Sequence, residues 1–369
     1  MRFGILFIVV YLVLGFQEGK GQQIYGNNFL NIGVGARSLG MGKAVVATEK
    51  SVQSAYWNPA NLSTWDGPMQ LSAMHAVWFA GVVNYDYLGS AFSLGSDGKS
   101  YGGISLIRMG VDDIPNTLQL FDADGRINYS NIRSFTVADY AGLITYSTQL
   151  GDSPWRVGGN VKIIRRVYGS FAKAWGGGLD AAASYSGERF HFGFVVRDIS
   201  TTTNSWSYQF TDSEIEILQQ LGNVVPESAR EVIRPSVSTG IAQEFGWSED
   251  MNFTLALDAD ITFDGVRNTL VASETMSIEP HVGLEMNSRD VLFLRAGIAS
   301  VQKRKKINNP ESDEYFIQPN MGIGLRLGRV NINYALAFLN EDDSKSSLSH
   351  VFSAMYTLKG REEGGDGNN

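Results

Sequence analysis

Four histidines, His75, His191, His281 and His350, are the side chains of this chain best suited to proton transfer, and His281 has carboxylates at matching spacing. Glu279, His281 and Glu285 share one face if their segment is a strand, because side chains alternate. A carboxylate beside an imidazole can orient it as a general base. No motif marks a nucleophile for that base, and a polar ladder lining the inside of a barrel accounts for the same residues, so catalysis is not expected. Asp122-Ala123-Asp124-Gly125 copies the start of a calcium loop but lacks the remaining ligands, and it reads as a turn. Asp258 and Asp260 also share a face, and their expected partners are inward arginines such as Arg295 or Arg326. The chain has no cysteine, which removes disulfides, thiol chemistry, cysteine metal sites and lipoprotein anchoring. No metal or cofactor is expected.

The segments that carry these residues alternate strictly. Met251, Phe253, Leu255, Leu257, Ala259, Ile261 and Phe263 form one face of a run whose other face is small, polar or acidic. Val330 to Phe338 and Phe190 to Val196 repeat the pattern. Strands of about 10 residues, apolar outside and polar inside, suit a bilayer-spanning barrel better than a soluble sandwich, whose strands run about 5 to 6. After residue 16 no uninterrupted apolar stretch is long enough for a membrane helix. The net charge of -8 argues against nucleic acid as a partner.

Met1-Arg2 followed by the apolar run to Phe16, with Gly19 and Gly21 before the cut, predicts a cleaved signal peptide over 1–21. Alternation and turn residues then predict about fourteen strands within 68–359, an even number, and a polar tail over 360–369. Their joints alternate between uniformly tight, as at Gly187-Glu188 and Leu327-Gly328, and mostly long, as from Gly110 to Arg133 and from Thr201 to Ile233. Tight turns belong on the periplasmic side and long loops outside. Trp155 and Trp247 fall by the tight turns, and Trp78 and Trp175 fall at the opposite ends, as two interfacial girdles would. In the longest loop Asp212-Ser213 can cap a helix carrying Ile215, Leu218 and Leu221 on one side, and Pro226 can open a second short helix to Ile233.

Residues 22–67 are too glycine-rich for strands and fit a compact segment folded into a lumen that side chains alone cannot fill. Here Gly35-Ala36-Arg37-Ser38-Leu39-Gly40-Met41-Gly42 precedes Trp57-Asn58-Pro59-Ala60, with Asn58-Pro59 expected as a rigid turn. This pair of motifs resembles the N-terminal hatch of the PorV/PorQ family, which is related to the FadL-like fatty-acid transporters. The resemblance implies an all-β transmembrane antiparallel barrel of about fourteen strands with an internal hatch, lodged in the outer membrane of a Gram-negative cell. It also implies type IX secretion, with docking or shuttling of secreted cargo among secretion-system partners. Two departures mark this chain: the hatch is that of a general family member rather than PorV or PorQ proper, and a polar tail follows the last strand.

Two function readings follow. In the first, the protein is non-enzymatic and its outer loops dock protein partners, through Ile215, Leu218 and Leu221 of the longest loop and through the one basic run, Lys303, Arg304, Lys305 and Lys306, which also reads as a solvated hairpin tip. In the second, the barrel passively admits a hydrophobic small molecule, the hatch forming its pocket and a wall kink its exit. Gly102 and Gly103 are the candidates for that lateral gate, although Gly176-Gly177-Gly178 is equally glycine-rich. Outer-membrane lipid is the expected surroundings in both.

Overall fold

The computed structural model describes residues 26–358 apart from 66, 96, 123, 223, 225–227, 307–308 and 343–344, with backbone alone at 80, 304–311 and 339–347. The expected signal peptide and polar tail lie outside the described residues.

The alternating runs form one antiparallel sheet that closes on itself. Its wall consists of β1 (Met69–Trp78), β2 (Val83–Leu94), β3 (Ser100–Asn116), β4 (Arg133–Gln149), β5 (Trp155–Tyr168), β6 (Ala172–Ser186) and β7 (Phe190–Arg197). The wall continues through β10 (Ser236–Ser248), β11 (Met251–Thr262), β13 (Ser277–Ser288), β14 (Leu292–Lys306), β15 (Asn309–Leu327), β16 (Val330–Asp342) and β17 (Lys345–Leu358). The seam pairs β1 with β17, from Met69 opposite Leu358 to Val77 opposite His350. Three further strands, β8 (Thr202–Tyr208), β9 (Ser228–Ile233) and β12 (Val271–Ala272), extend the wall at the long-loop end. The result is a closed fourteen-stranded antiparallel barrel, and closure removes the unpaired strand edges that a bilayer would not tolerate.

Burial follows the period of two. On β1 Gln70, Ser72, Met74, Ala76 and Trp78 turn inward and are buried, while Leu71, Ala73 and His75 turn outward. Trp155, Trp175 and Trp247 are all outward and exposed, as girdle residues should be. Trp78 is not: it faces the lumen and is buried, because its even-numbered place on β1 lies on the inner face.

Two expectations for the longest loop meet different outcomes. The first helix is present at Asp212–Gln220, but its cap is Thr211, in a reciprocal capping box with Glu214, and Asp212 and Ser213 lie in its first turn instead of capping it. The second is not: Ser228–Ile233 is β9, paired along β8, because Ala229, Val232 and Ile233 extend the hairpin of β7 and β10 rather than breaking from it.

Residues 26–65 fill the barrel. They fold as a 3-10 turn (Asn28–Asn31), a short helix (Ala36–Gly40), a second (Ser54–Trp57) and another 3-10 stretch (Pro59–Thr64). Val34, Ala36, Leu39, Met41, Val45 and Leu62 are wholly buried. The first helix packs on β14 to β17 and the second 3-10 stretch on β3 to β6. The segment therefore spans the lumen as an internal plug between opposite walls.

Candidate functional site

The plug is short of regular structure, so its backbone groups need partners in a space that water does not fill. Wall side chains supply many of them. Asp258 accepts from the Val46 N–H at 2.7 Å, Gln70 from Val52 at 2.7 Å, Ser353 from Ala36 at 3.2 Å, and Asn320 donates to the Leu39 carbonyl at 2.7 Å. Arg197 donates to the Tyr56 carbonyl at 2.8 Å. Within the plug Trp57 Nε1 donates to the Val34 carbonyl at 2.8 Å, and the Tyr56 hydroxyl donates to the Leu30 carbonyl. Asn58 does not form a simple exit turn. Its side chain caps the Pro59 stretch by accepting from Ala60 N–H at 3.1 Å and donates to the Val46 carbonyl at 2.8 Å.

Glycine sets how closely plug and wall approach. A Cβ at Gly297 would lie 2.3 Å from the Met41 carbonyl carbon, and one at Gly283 would lie 2.4 Å from the Met41 oxygen. Gly42 answers from the plug side, with a positive φ of 61° and a place for Cβ only 2.5 Å from Ile298 N. Met41 and Gly42 of the hatch motif thus sit in a socket of wall glycines, and Pro59 and Ala60 sit against Gly158.

Arg37 anchors the plug electrostatically. Its guanidinium holds Glu49 of the plug at 3.1 Å and Glu285 of β13 at 2.9 Å, and Arg295 of β14 completes the cluster on Glu285. Burial alone would lower the Arg37 pKa, but Glu285 and Glu49 outweigh it and hold the proton more tightly than usual. Glu285 is therefore a plug anchor, and His281 has other neighbours. His281 Nε2 lies 3.1 Å from Asp260, which also accepts from Ser238, and Nδ1 faces the Ala299 carbonyl. In this chain of groups the carboxylate stands between serine and imidazole, so the serine proton points to Asp260 and not to a base. Asp258 and Asp260 consequently bond to Val46, His281 and Ser238, not to Arg295 or Arg326. The partner of Asp258 is hidden from strand periodicity because Val46 comes from the plug, whereas those of Asp260 stand on the adjacent strands β10 and β13.

Asp122 accepts from Asn128 and Asn131 side chains within its own loop. No group of three or more metal-ligating side chains occurs among the described residues.

The plug divides the lumen. At the tight-turn end lies a wide polar vestibule of about 710 Å³, lined by charged residues including Arg37, Glu49, Glu285 and Arg329. At the long-loop end a cavity of about 200 Å³ is bounded by Ile32, Leu39, Trp78, Phe79, Ala337 and Phe338, with Asn31, Lys43 and Asn320 at its polar edge. Beside it a narrower, more polar cleft runs along Arg197, Asp260, Arg267 and Glu279. The apolar cavity is not legible in the sequence, since its lining comes from the plug, β1 and β14 to β16, which closure of the barrel brings beside β1. The inward Trp78 was its available signal.

Gly102 and Gly103 lie in an unbroken ladder between β2 and β4. A Cβ at Gly103 would face Leu62 of the plug, and one at Gly102 would face Phe92. The wall is irregular elsewhere. Asp198 to Thr201 bulge between β7 and β8, which otherwise follow one edge of β6, opposite Gly178, Leu179 and Asp180. Lys162 bridges Asp180 at 2.9 Å and Asp198 behind this bulge. Ile215 and Leu218 are half-buried on the loop helix, Leu221 is exposed just beyond it, and Lys303 pairs with Asp313 at 2.9 Å. The side chains of Arg304, Lys305 and Lys306 lie outside the described residues.

No family model and no curated protein matches the chain. Solved structures do. The CymD monoaromatic hydrocarbon channel is 12% identical, with 89% of this chain and 98% of that one covered at a TM-score of 0.57. The fold is that of the FadL-like outer-membrane barrels. The toluene transporter TodX of P. putida is 13% identical, over 89% of this chain and 99% of that one, at 0.55. A FadL homologue of Pseudomonas aeruginosa is 13% identical, over 88% and 98%, at 0.50. At such identities the likeness carries the fold alone.

Proposed function

We propose that this protein is a passive outer-membrane transporter of small hydrophobic molecules. The observation that carries the reading is the half-open, mainly apolar cavity of about 200 Å³ lined by Ile32, Leu39, Trp78, Phe79 and Ala337 at the long-loop end of the plug. An apolar cavity of about 150 Å³ suffices for benzene, so this one suits a single compact ring or a short branched chain. The FadL-like fold, whose solved members include a monoaromatic hydrocarbon channel and a toluene transporter, supports the same reading. The vestibule below is lined mainly by polar and charged groups, which favours an exit through the wall. The Asp198–Thr201 bulge suits such an exit better than Gly102 and Gly103, where the ladder is continuous.

Toluene uptake by cells carrying the protein tests this, alongside Ala337→Phe, which fills the cavity from the wall. The expected result is saturable uptake that Ala337→Phe reduces at least tenfold while the barrel still resists heat and protease. Uptake no greater than in cells lacking the protein, or unchanged by Ala337→Phe, would remove the reading.

The secretion reading rests on the hatch motif, Arg37, Gly40, Met41 and Gly42 with Trp57, Asn58, Pro59 and Ala60. One feature favours it: the capped helix Asp212–Gln220 stands on the β8–β9 extension, with Leu221 exposed beside it. Cargo or secretion subunits would have to co-purify with the intact protein and be lost when residues 209–227 are deleted.

A further inference from the structure

A left-handed φ comes easily to glycine and is tolerated by asparagine and aspartate, whereas other side chains take it at a cost. Among the described residues four of other types adopt it: Lys43 at 67°, Phe79 at 53°, Thr201 at 61° and Arg289 at 53°. Two of these, Lys43 and Phe79, line the apolar cavity. They reach it from different elements. Lys43 follows Gly42 in the glycine socket of the plug, and its N–H is fixed by the Ser38 carbonyl at 2.9 Å. Phe79 opens the turn from β1 to β2, where its carbonyl accepts from Val82 at 3.2 Å. Glycine would sit in either place without strain, so what the chain retains there is the side chain itself. Among the described residues Lys43 is the one charged group lining the cavity. Its ammonium donates to the Asn31 carbonyl at 2.9 Å and has no carboxylate partner among them, which leaves two N–H groups. Asp260 and Glu279 line the adjoining cleft and not the cavity. Lys43 and Asn31 line both, so the ammonium stands where the apolar space gives way to a polar one.

We propose that Lys43 and Phe79 set the class of ligand: the cavity takes the compact apolar body of a monocarboxylate, whose carboxylate pairs with Lys43 while Phe79 covers the body. The inference rests on the transport reading and narrows it from small hydrophobic molecules in general to those that carry one acidic group. A carboxylate is ionised at neutral pH. Its hydrogen bonds to an ammonium are stronger than neutral ones, and surroundings that are largely apolar screen them less than water does. An amine would instead bring a second positive charge to Lys43. A volume of about 200 Å³ suits a body of one ring beside Trp78 and Phe338, with the carboxylate at the polar edge made by Asn31, Lys43 and Asn320. Phe79 lines the cavity and is still 37% exposed, so its ring stands between the body and the solvent.

Uptake of benzoate and of toluene at neutral pH, each measured in the same cells with the full-length protein and corrected for cells lacking it, tests the assignment. Benzoate uptake should be saturable. Lys43→Met, which keeps the length of the side chain without its charge, should lower benzoate uptake at least fivefold more than toluene uptake, and Lys43→Arg should restore most of it. Phe79→Gly, which suits the backbone, should lower both at least threefold in a barrel that still resists heat. Toluene uptake without benzoate uptake, an equal effect of Lys43→Met on the two, or no effect of Phe79→Gly on either would overturn the inference and leave the transport reading standing. Uptake of neither compound would remove both. If Lys43→Met does not reach the membrane, competition in the natural protein decides: excess benzoate should suppress toluene uptake, and no suppression would overturn the inference.

Discussion

Tyr56 shows what burial in the plug does to one side chain. Burial disfavours its charged form, with the nearby Arg197 opposing and Asp260 adding to the effect, and the phenol is pushed up to about 12. An unfolded chain ionises the same phenol near pH 10. The folded state then binds the extra proton between those values, so this contribution to stability is intact below pH 10 and declines as pH rises toward 12. Denaturant midpoints measured at pH 9 and at pH 11.5 should therefore fall less in Tyr56→Phe than in the natural protein. An equal fall in both would mean that the phenol is not the source. Tyr56→Phe should also be the less stable of the two at pH 9, because the Leu30 carbonyl loses its donor.

The plug and wall elements were legible to different degrees in the sequence. Strand positions were readable because lipid outside and polar lumen inside impose a period of two, and the predicted run from Met251 to Phe263 matches β11 (Met251–Thr262) to within a residue. Upper limits were less readable. β14 runs up to Lys306 and β15 starts at Asn309, beyond the apolar alternation, because above the membrane pairing continues without an apolar face to mark it. The hatch motif announced close packing, but its partners were hidden: Gly283 and Gly297 are ordinary inward residues until Met41 is placed beside them. Gly297→Val tests that contact. With no room for a side chain against the Met41 backbone, it should destabilise the protein by at least about 2 kcal/mol and make the plug accessible to added protease from the tight-turn end. The same change at Gly142, where a Cβ would meet nothing within 4 Å, should do neither.

For the whole molecule, the question is what keeps a fourteen-stranded barrel from leaking. Two open cavities, about 710 Å³ at the tight-turn end and about 200 Å³ at the long-loop end, lie on either side of the plug. Removing residues 26–65 should turn a non-conducting protein into an ion channel, since barrels somewhat larger than this one, left unplugged, enclose aqueous pores. Planar-bilayer recordings would show steps in the truncated form and none in the intact one. Conductance already present in the intact protein would mean that the plug is not a seal. Sequence alone gave the plug and the barrel as separate objects. It could not give the cavity between them, whose walls come from residues as distant as Ile32 and Phe338.

The plug's attachments also constrain the order in which the protein can be built. Its first helix leans on β14 to β17, and Ala36 bonds to Ser353, yet these strands are the last to be made. The plug, made before the wall, must therefore wait, tethered through β1, until β14 to β17 arrive to receive it. β17 is also the strand that zips onto β1. Docking of the plug and sealing of the cylinder are consequently a single late event, and a chain cut short before β17 would lose both at once.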